Sequence, residues 1–154
     1  MVNSWKNSLG KQFSLLDIAE IIQKFPKAQI HVGTDSHFKT GHLIFATVIA
    51  IHEPGECSKY FFKRTKNLSK KIKTPLKIRL LKEVQDSIDI ANSVREIIGE
   101  KRIISVHADI SENKKNKSSI VSEQARNWIY AMGFDCRMKP ISWASSSIAD
   151  LHAK

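Results

Sequence analysis

Apolar residues recur along this chain in two periods, and the change from one to the other sets out its elements. Leu15, Leu16, Ile18, Ala19, Ile21 and Ile22 keep helical spacing, with Ser14 placed to cap the first turn and Asp17 three residues on to answer it. A helix is therefore expected from there to about Pro26. Three strand-like runs follow, Ala28 to Asp35, His42 to His52 and Cys57 to Thr65, parted by Lys39-Thr40-Gly41 and by Glu53-Pro54-Gly55-Glu56. Connections this short imply an antiparallel meander. Thr74-Pro75 opens the longest helix, with Thr74 as cap and Pro75 in the first helical position, and its apolar pattern persists to Ile98-Gly99. Arg102 to Asp109 makes a short buried strand. Ser118 starts a helix carrying Ile120, Val121, Ala125, Trp128 and Ile129 and stopping at Gly133. Phe134 to Lys139 is a fifth strand, and Ser142 caps a last helix from Trp143 to about Ala153.

This order predicts an α/β fold with a mixed five-stranded sheet, three antiparallel strands and then parallel strands where helices cross over. Residues 1–27 are expected to form an N-terminal helical extension and residues 28–154 the main domain. A chain of 154 residues can build a core without disulfides or structural metal. Neither a repeat nor a low-complexity tract interrupts it.

Charge narrows the partner. Twenty-five Lys and Arg against fifteen Asp and Glu give +10 and a pI near 9.7, which points to a polyanion such as nucleic acid. Met1 to Gly10 lacks the apolar stretch of a signal peptide, and no apolar run is as long as a membrane span, so a cytoplasmic protein is expected, with no membrane partner. Cys57 and Cys136 are too few and too far apart for a disulfide framework or a metal motif and are expected to be buried thiols in a reducing compartment. The pattern leaves the oligomeric state open.

The candidate chemistry lies in four acids. Asp35 ends the apolar run Ile30-His31-Val32-Gly33-Thr34, Glu83 lies in the long helix, Asp109 ends Ile103-Ile104-Ser105-Val106-His107-Ala108, and Asp150 lies in the last helix. Taken singly, each has an ordinary reading: a turn aspartate for Asp35, an i−4 partner of Arg79 for Glu83, a frayed helix end for Asp150. Taken together, carboxylates that converge repel one another and resist ionisation unless a cation neutralises them. All-oxygen ligands suit Mg²⁺ or Mn²⁺, and two such ions about 4 Å apart can activate water against a phosphodiester. Helical geometry selects Glu83 among its neighbours. At about 100° per residue it falls at the edge of the stripe Leu80, Leu81, Val84, Ile88, Ala91 and Ile98, whereas Asp86 and Asp89 point outward.

Two basic loops flank the proposed site, Lys63 to Lys73 and Asn113 to Ser119. In the second, Lys114, Lys115 and Lys117, with Ser118, Ser119 and the amides of a helix start, are candidate phosphate contacts beside Asp109. His107 shares a face with Asp109, but a hydrogen-bonded sheet histidine is as good a reading as a substrate contact. His31, His42 and His52 look like strand or turn residues, and Trp143 like packing.

Val32-Gly33-Thr34-Asp35-Ser36, Arg79 to Glu83, His107-Ala108-Asp109-Ile110 and Lys139-Pro140 leading to Ala149-Asp150 together resemble the YkuK family of predicted ribonuclease H-like nucleases, over about Ile30 to Asp150. One departure is visible: His37 follows Gly-Thr-Asp-Ser where an amide is expected. The resemblance implies a ribonuclease H-like fold, with acids on the first core strand, the first core helix, the fourth strand and the last helix. It also implies metal-dependent hydrolysis of nucleic acid, RNA or an RNA/DNA hybrid first. The main alternative is a non-catalytic nucleic-acid-binding module of the same fold. An ATP-binding relative of the actin and hexokinase type would need two domains and glycine-rich phosphate turns, which six glycines and one domain's length do not provide.

Overall fold

The computed structural model describes residues 5–55, 58–67 and 74–154. Its elements are β1 (Trp5–Lys6), β2 (Gln12–Phe13), α1 (Leu15–Lys24), β3 (Gln29–Lys39), β4 (His42–His52), β5 (Ser58–Asn67), α2 (Leu76–Ile98) and β6 (Ile104–His107). A 3-10 turn (Lys117–Val121), α3 (Ser122–Ala131), β7 (Asp135–Arg137), a π-helical segment (Ala144–Ala149) and α4 (Asp150–Ala153) complete it. The sheet has seven strands, not five, in the order β2-β1-β5-β4-β3-β6-β7. Two-residue strands β1 and β2 escape any periodicity argument; β1 is defined by pairing with β5 through Lys6 and Phe62, and β2 by pairing with β1. As expected, β3, β4 and β5 form an antiparallel meander, and β6 and β7 join it in parallel.

Local signals act where the sequence places them. Ser14 and Asp17 close a reciprocal capping box on α1, a feature worth about 1 kcal/mol. The β3–β4 turn uses Thr40 and Gly41, both at positive φ (49° and 77°), as a two-residue hairpin of this twist requires. Arg102 ties down the chain after α1, donating to the carbonyls of Phe25 and Ala28 at 3.0 and 2.7 Å.

Other expectations are corrected. β3 does not stop at Asp35 but runs on to Lys39, because β4 supplies backbone partners for the whole polar stretch. Thr74 does not cap α2: Pro75 occupies the cap position and no side chain caps it. Ser118 falls within a short 3-10 turn, and α3 begins only at Ser122. Ser142 gives no side-chain cap to the last helix; instead its carbonyl accepts from the Ser145 and Ser146 hydroxyls, and its own buried hydroxyl has no partner among the described residues. Such back-bonding bends and widens helical turns, in keeping with the π-helical geometry. Cys136 is a half-buried free thiol, pushed up to about 11 by burial; Cys57 and the stretch Leu68 to Lys73 lie outside the described residues.

The main core fills one face of the sheet. Ile18, Ile22, Ile30, Val32, Ile49, Phe61, Val84, Ile88, Val106 and Ile129 pack there beneath α1, α2 and α3. On the opposite face the π-helical segment lies across β3 and β4, where Ala149 packs with Val48 and Ala50. No helix among the described residues is long and apolar enough to cross a membrane.

Candidate active site

Alternation along β3 sends its side chains to two layers. Thr34 and Ser36 face α2: Thr34 Oγ1 lies 2.7 Å from Ser87 Oγ and 3.1 Å from Thr47 Oγ1, and Ser36 Oγ donates to Glu83 Oε2 at 2.5 Å. His31, Gly33 and Asp35 face the π-helical segment and α4. Asp35 is thus mid-strand, yet it still stands at a sheet edge, since β6 pairs with β3 only as far as Gly33 opposite His107. Continuing that register by two residues brings Asp109 level with Asp35.

Gly33 makes this arrangement possible. A Cβ there would stand 2.6 Å from the Ser145 nitrogen and 2.8 Å from the Ala144 carbonyl carbon, so only glycine lets the segment carrying Asp150 lie this close to β3. Ala144, Ser145 and Ala149 are buried.

The four acids gather around Asp35. Burial first, then a hydrogen bond shared with Asp150 and the charges of Asp109 and Asp150, push the Asp35 carboxyl up to about 7. Glu83, 5% exposed, is raised well above the usual carboxylate range by burial and by the charges of Asp35 and Asp109, against the pull of Ser36 and Arg79. At Asp150 burial is outweighed by hydrogen bonds with Lys154 and Asp35, and the carboxyl is held low. The two carboxyls are thus pushed in opposite directions, Asp35 up and Asp150 down. Asp109 Oδ1 is buried without a hydrogen bond; Lys139 Nζ approaches it to 3.2 Å as an ion pair only. Lys154 pairs with Asp150 at 3.0 Å.

Arg79 does not simply pair with Glu83 at i−4. It donates from Nε to Ser36 Oγ at 3.2 Å and from Nη2 to the Ser36 carbonyl at 3.1 Å, so both helix residues meet on one serine of β3. Sequence reasoning misses Ser36, Lys139 and the Thr34–Ser87 contact as parts of the site. The first two lie inside the motifs that carry the resemblance; the third joins residues 53 apart, and no local pattern announces it. Asp86, as the helix geometry requires, points away and pairs with Lys82 at 2.7 Å.

The donor set suits a hard divalent cation in its chemistry: only oxygens, an Asp109 Oδ1 that accepts no hydrogen bond, and two acids driven toward protonation by burial and by neighbouring acids. Among the described residues, however, no three acid, histidine or cysteine side chains are disposed as a closed ligand group around one ion. The counter-charges in place are Lys139 and Lys154.

The phosphate loop differs from expectation. Lys114, Lys115 and Lys117 are exposed, on the loop that follows Asp109. The Ser118 hydroxyl accepts from the Ser111 amide at 3.0 Å and the Ser119 amide donates to the Asn116 carbonyl at 3.1 Å, so these groups brace the loop. A five-residue 3-10 turn replaces the helix start expected to hold a phosphate.

Away from the acids, His31 and His107 are both 1% exposed and meet through Nδ1 and Nε2 at 2.9 Å, with Trp143 against both rings. Burial pushes His31 down to about 4 and His107 down to about 3, so both are neutral near pH 7. Trp143 is a packing residue.

No curated protein matches the chain. A family model described as Ribonuclease H-like matches residues 15–154, a span that contains all four acids. The match covers most of the 154 residues, and the chain belongs to the ribonuclease H-like family.

Proposed function

We propose that this protein is a divalent-metal-dependent nuclease of the YkuK type, in which Asp35, Glu83, Asp109 and Asp150 hold two Mg²⁺ or Mn²⁺ ions, and that RNA or an RNA/DNA hybrid is its substrate. The supporting observation is the perturbation of Asp35 and Glu83, two acids held toward protonation first by burial, then by Asp150 and Asp109 at Asp35 and by Asp35 and Asp109 at Glu83, a state that bound cations would relieve. When bound, the ions would supply an activated water and stabilise the leaving oxygen of a phosphodiester.

The protein's own groups supply position. Ser36, itself gripped by Arg79, orients the Glu83 carboxylate. The Thr34–Ser87 contact holds α2 to β3 one turn further on, and Gly33 admits the segment that carries Asp150. Lys139 is placed to meet a scissile phosphate beside Asp109. Lys114, Lys115 and Lys117 neutralise phosphates further along the strand, and their contribution falls as salt rises. The formal charge of +10 favours approach of a polyanion. No side-chain nucleophile takes part, and the setting is taken to be cytoplasmic.

A panel of labelled RNA, DNA and hybrid duplexes, incubated with Mg²⁺ or Mn²⁺, tests the reading. Cleavage is expected to depend on the ion and to fall at least a hundredfold in Asp35→Asn. Undiminished cleavage by that variant at unchanged metal content refutes the assignment of Asp35. Salt-sensitive binding without cleavage at any ion concentration replaces the enzyme with a binding module.

A further inference from the structure

The buried histidine pair lies among the three elements that carry Asp35, Asp109 and Asp150. His31 is on β3 four residues before Asp35, and His107 ends β6 two residues before Asp109. Its Nδ1 lies 3.1 Å from the backbone nitrogen of Ala144, where the segment leading to Asp150 begins. Three contacts fix the protons. The Ala144 amide can only donate, so His107 Nδ1 is the acceptor and the single proton of the neutral ring is on Nε2. That proton points to His31 Nδ1, 2.9 Å away, which leaves the His31 proton on Nε2, facing Gln29 Oε1 at 3.2 Å. Every link runs one way, from Ala144 through two rings to Gln29.

We propose that His31 and His107 are positioning residues: this one-way chain of hydrogen bonds fixes the start of the π-helical segment, and through it Asp150, against β3, which carries Asp35, and β6, which leads to Asp109. An apolar pair of the same size would fill the space as well and would avoid desolvating two imidazoles, but it would leave the Ala144 amide unpaired and the segment's register undetermined. An amide side chain in place of either ring carries two donors on one nitrogen, one more than the chain of contacts uses. Neutral imidazole, with one donor and one acceptor held apart by a rigid ring, passes a hydrogen bond between layers. Trp143, with ring centroids 4.6 Å from His31 and 4.9 Å from His107, clamps both rings from the segment itself. The inference rests on the reading of the four acids as one site, but its geometry can be tested without any cleavage assay.

Long-range ¹H–¹⁵N spectra of the wild-type protein at neutral pH are expected to show both rings protonated at Nε2; a proton on Nδ1 of His107 overturns the proposal without any variant. His107→Phe is then compared with Ile129→Val, a core variant beneath the other face of the sheet. Amide hydrogen exchange at residues 144–150 is expected to accelerate at least tenfold in His107→Phe while α2 is unchanged, and Mn²⁺ affinity, measured by titration calorimetry, to fall at least tenfold. Ile129→Val is expected to change neither. Equal behaviour of the two variants reduces the pair to ordinary core and refutes the proposal. A wild-type protein that takes up no Mn²⁺ refutes the nuclease reading instead, and the exchange comparison still decides the role of the histidines.

Discussion

Gly33→Ala is the most economical test of how this fold builds its site. The added methyl would lie 2.6 Å from the Ser145 nitrogen, and ordinary contact begins at 3.4 Å, so the segment must retreat by about 0.8 Å. Both of its nearest neighbours are backbone atoms, which no rotamer change can move. Overpacking of this kind costs about 1–3 kcal/mol, whereas removing a glycine from the unfolded chain returns about 0.4–1 kcal/mol. The net loss is about 1–2 kcal/mol, or a melting temperature lower by about 3–6 °C for a chain of this length. Thermal denaturation followed by circular dichroism reads that shift, and cleavage should fall more than stability, since Asp150 travels with the displaced segment. Ala144→Gly added to the variant should restore little, because the closest clashes are with main-chain atoms. A melting temperature equal to or above that of the parent protein refutes the close-approach argument.

Asp35→Asn should stabilise the metal-free protein at pH 8. The folded state keeps a proton that the unfolded chain gives up near 3.8 and releases it only at about 7, so stability is full below pH 4 and is lost as pH rises toward 7. A complete shift of this size corresponds to about 4 kcal/mol; shared with Asp150, about 1–2 kcal/mol should separate the variants at pH 8, none at pH 3.5, and saturating Mn²⁺ should reverse the order. Urea titrations across that range measure it, and a pH-independent gap defeats the explanation. Ser36→Ala strands both Glu83 and Arg79 and should cost about 1–3 kcal/mol, with cleavage rescued better by Ser36→Thr than by any apolar residue. Replacing Lys114, Lys115 and Lys117 with Gln should weaken nucleic-acid binding for all sequences alike and reduce the steepness of its salt dependence by about one for each phosphate that is no longer neutralised; an unchanged salt slope removes those lysines from the interface.

Local signals are legible in the sequence and long-range ones are not. The Ser14–Asp17 box, the Thr40–Gly41 turn and the bounds of β4 follow from residues within a few positions of one another. Glu83 can be picked from Asp86 and Asp89 because a helix fixes angles without reference to the rest of the chain. By composition β3 ends at Asp35, since polarity rises there; what keeps Ser36 to Lys39 extended is β4, a tertiary partner that overrides composition. β1 and β2, at two residues each, exist only as partners of β5 and of one another. The last helix has a regular pattern, but the serines that bond back to the Ser142 carbonyl widen it, and their apolar and small neighbours give no sign of this in advance. The Lys139 counter-charge on Asp109 depends on side-chain reach across 30 positions and has no sequence period, whereas Lys154 stands at helical i,i+4 spacing from Asp150.

The acids enter the chain at positions 35, 83, 109 and 150, and the π-helical segment that leads directly into the last of them covers the second face of the sheet. Synthesis from the N-terminus therefore delivers the meander, α2 and β6 to the solvent while the fourth carboxylate is still inside the ribosome. A nascent domain in that state lacks one of the four acids and a covering for His31, Gly33 and Asp35. If the four acids act as one site, that site is completed by the last of these elements to be made.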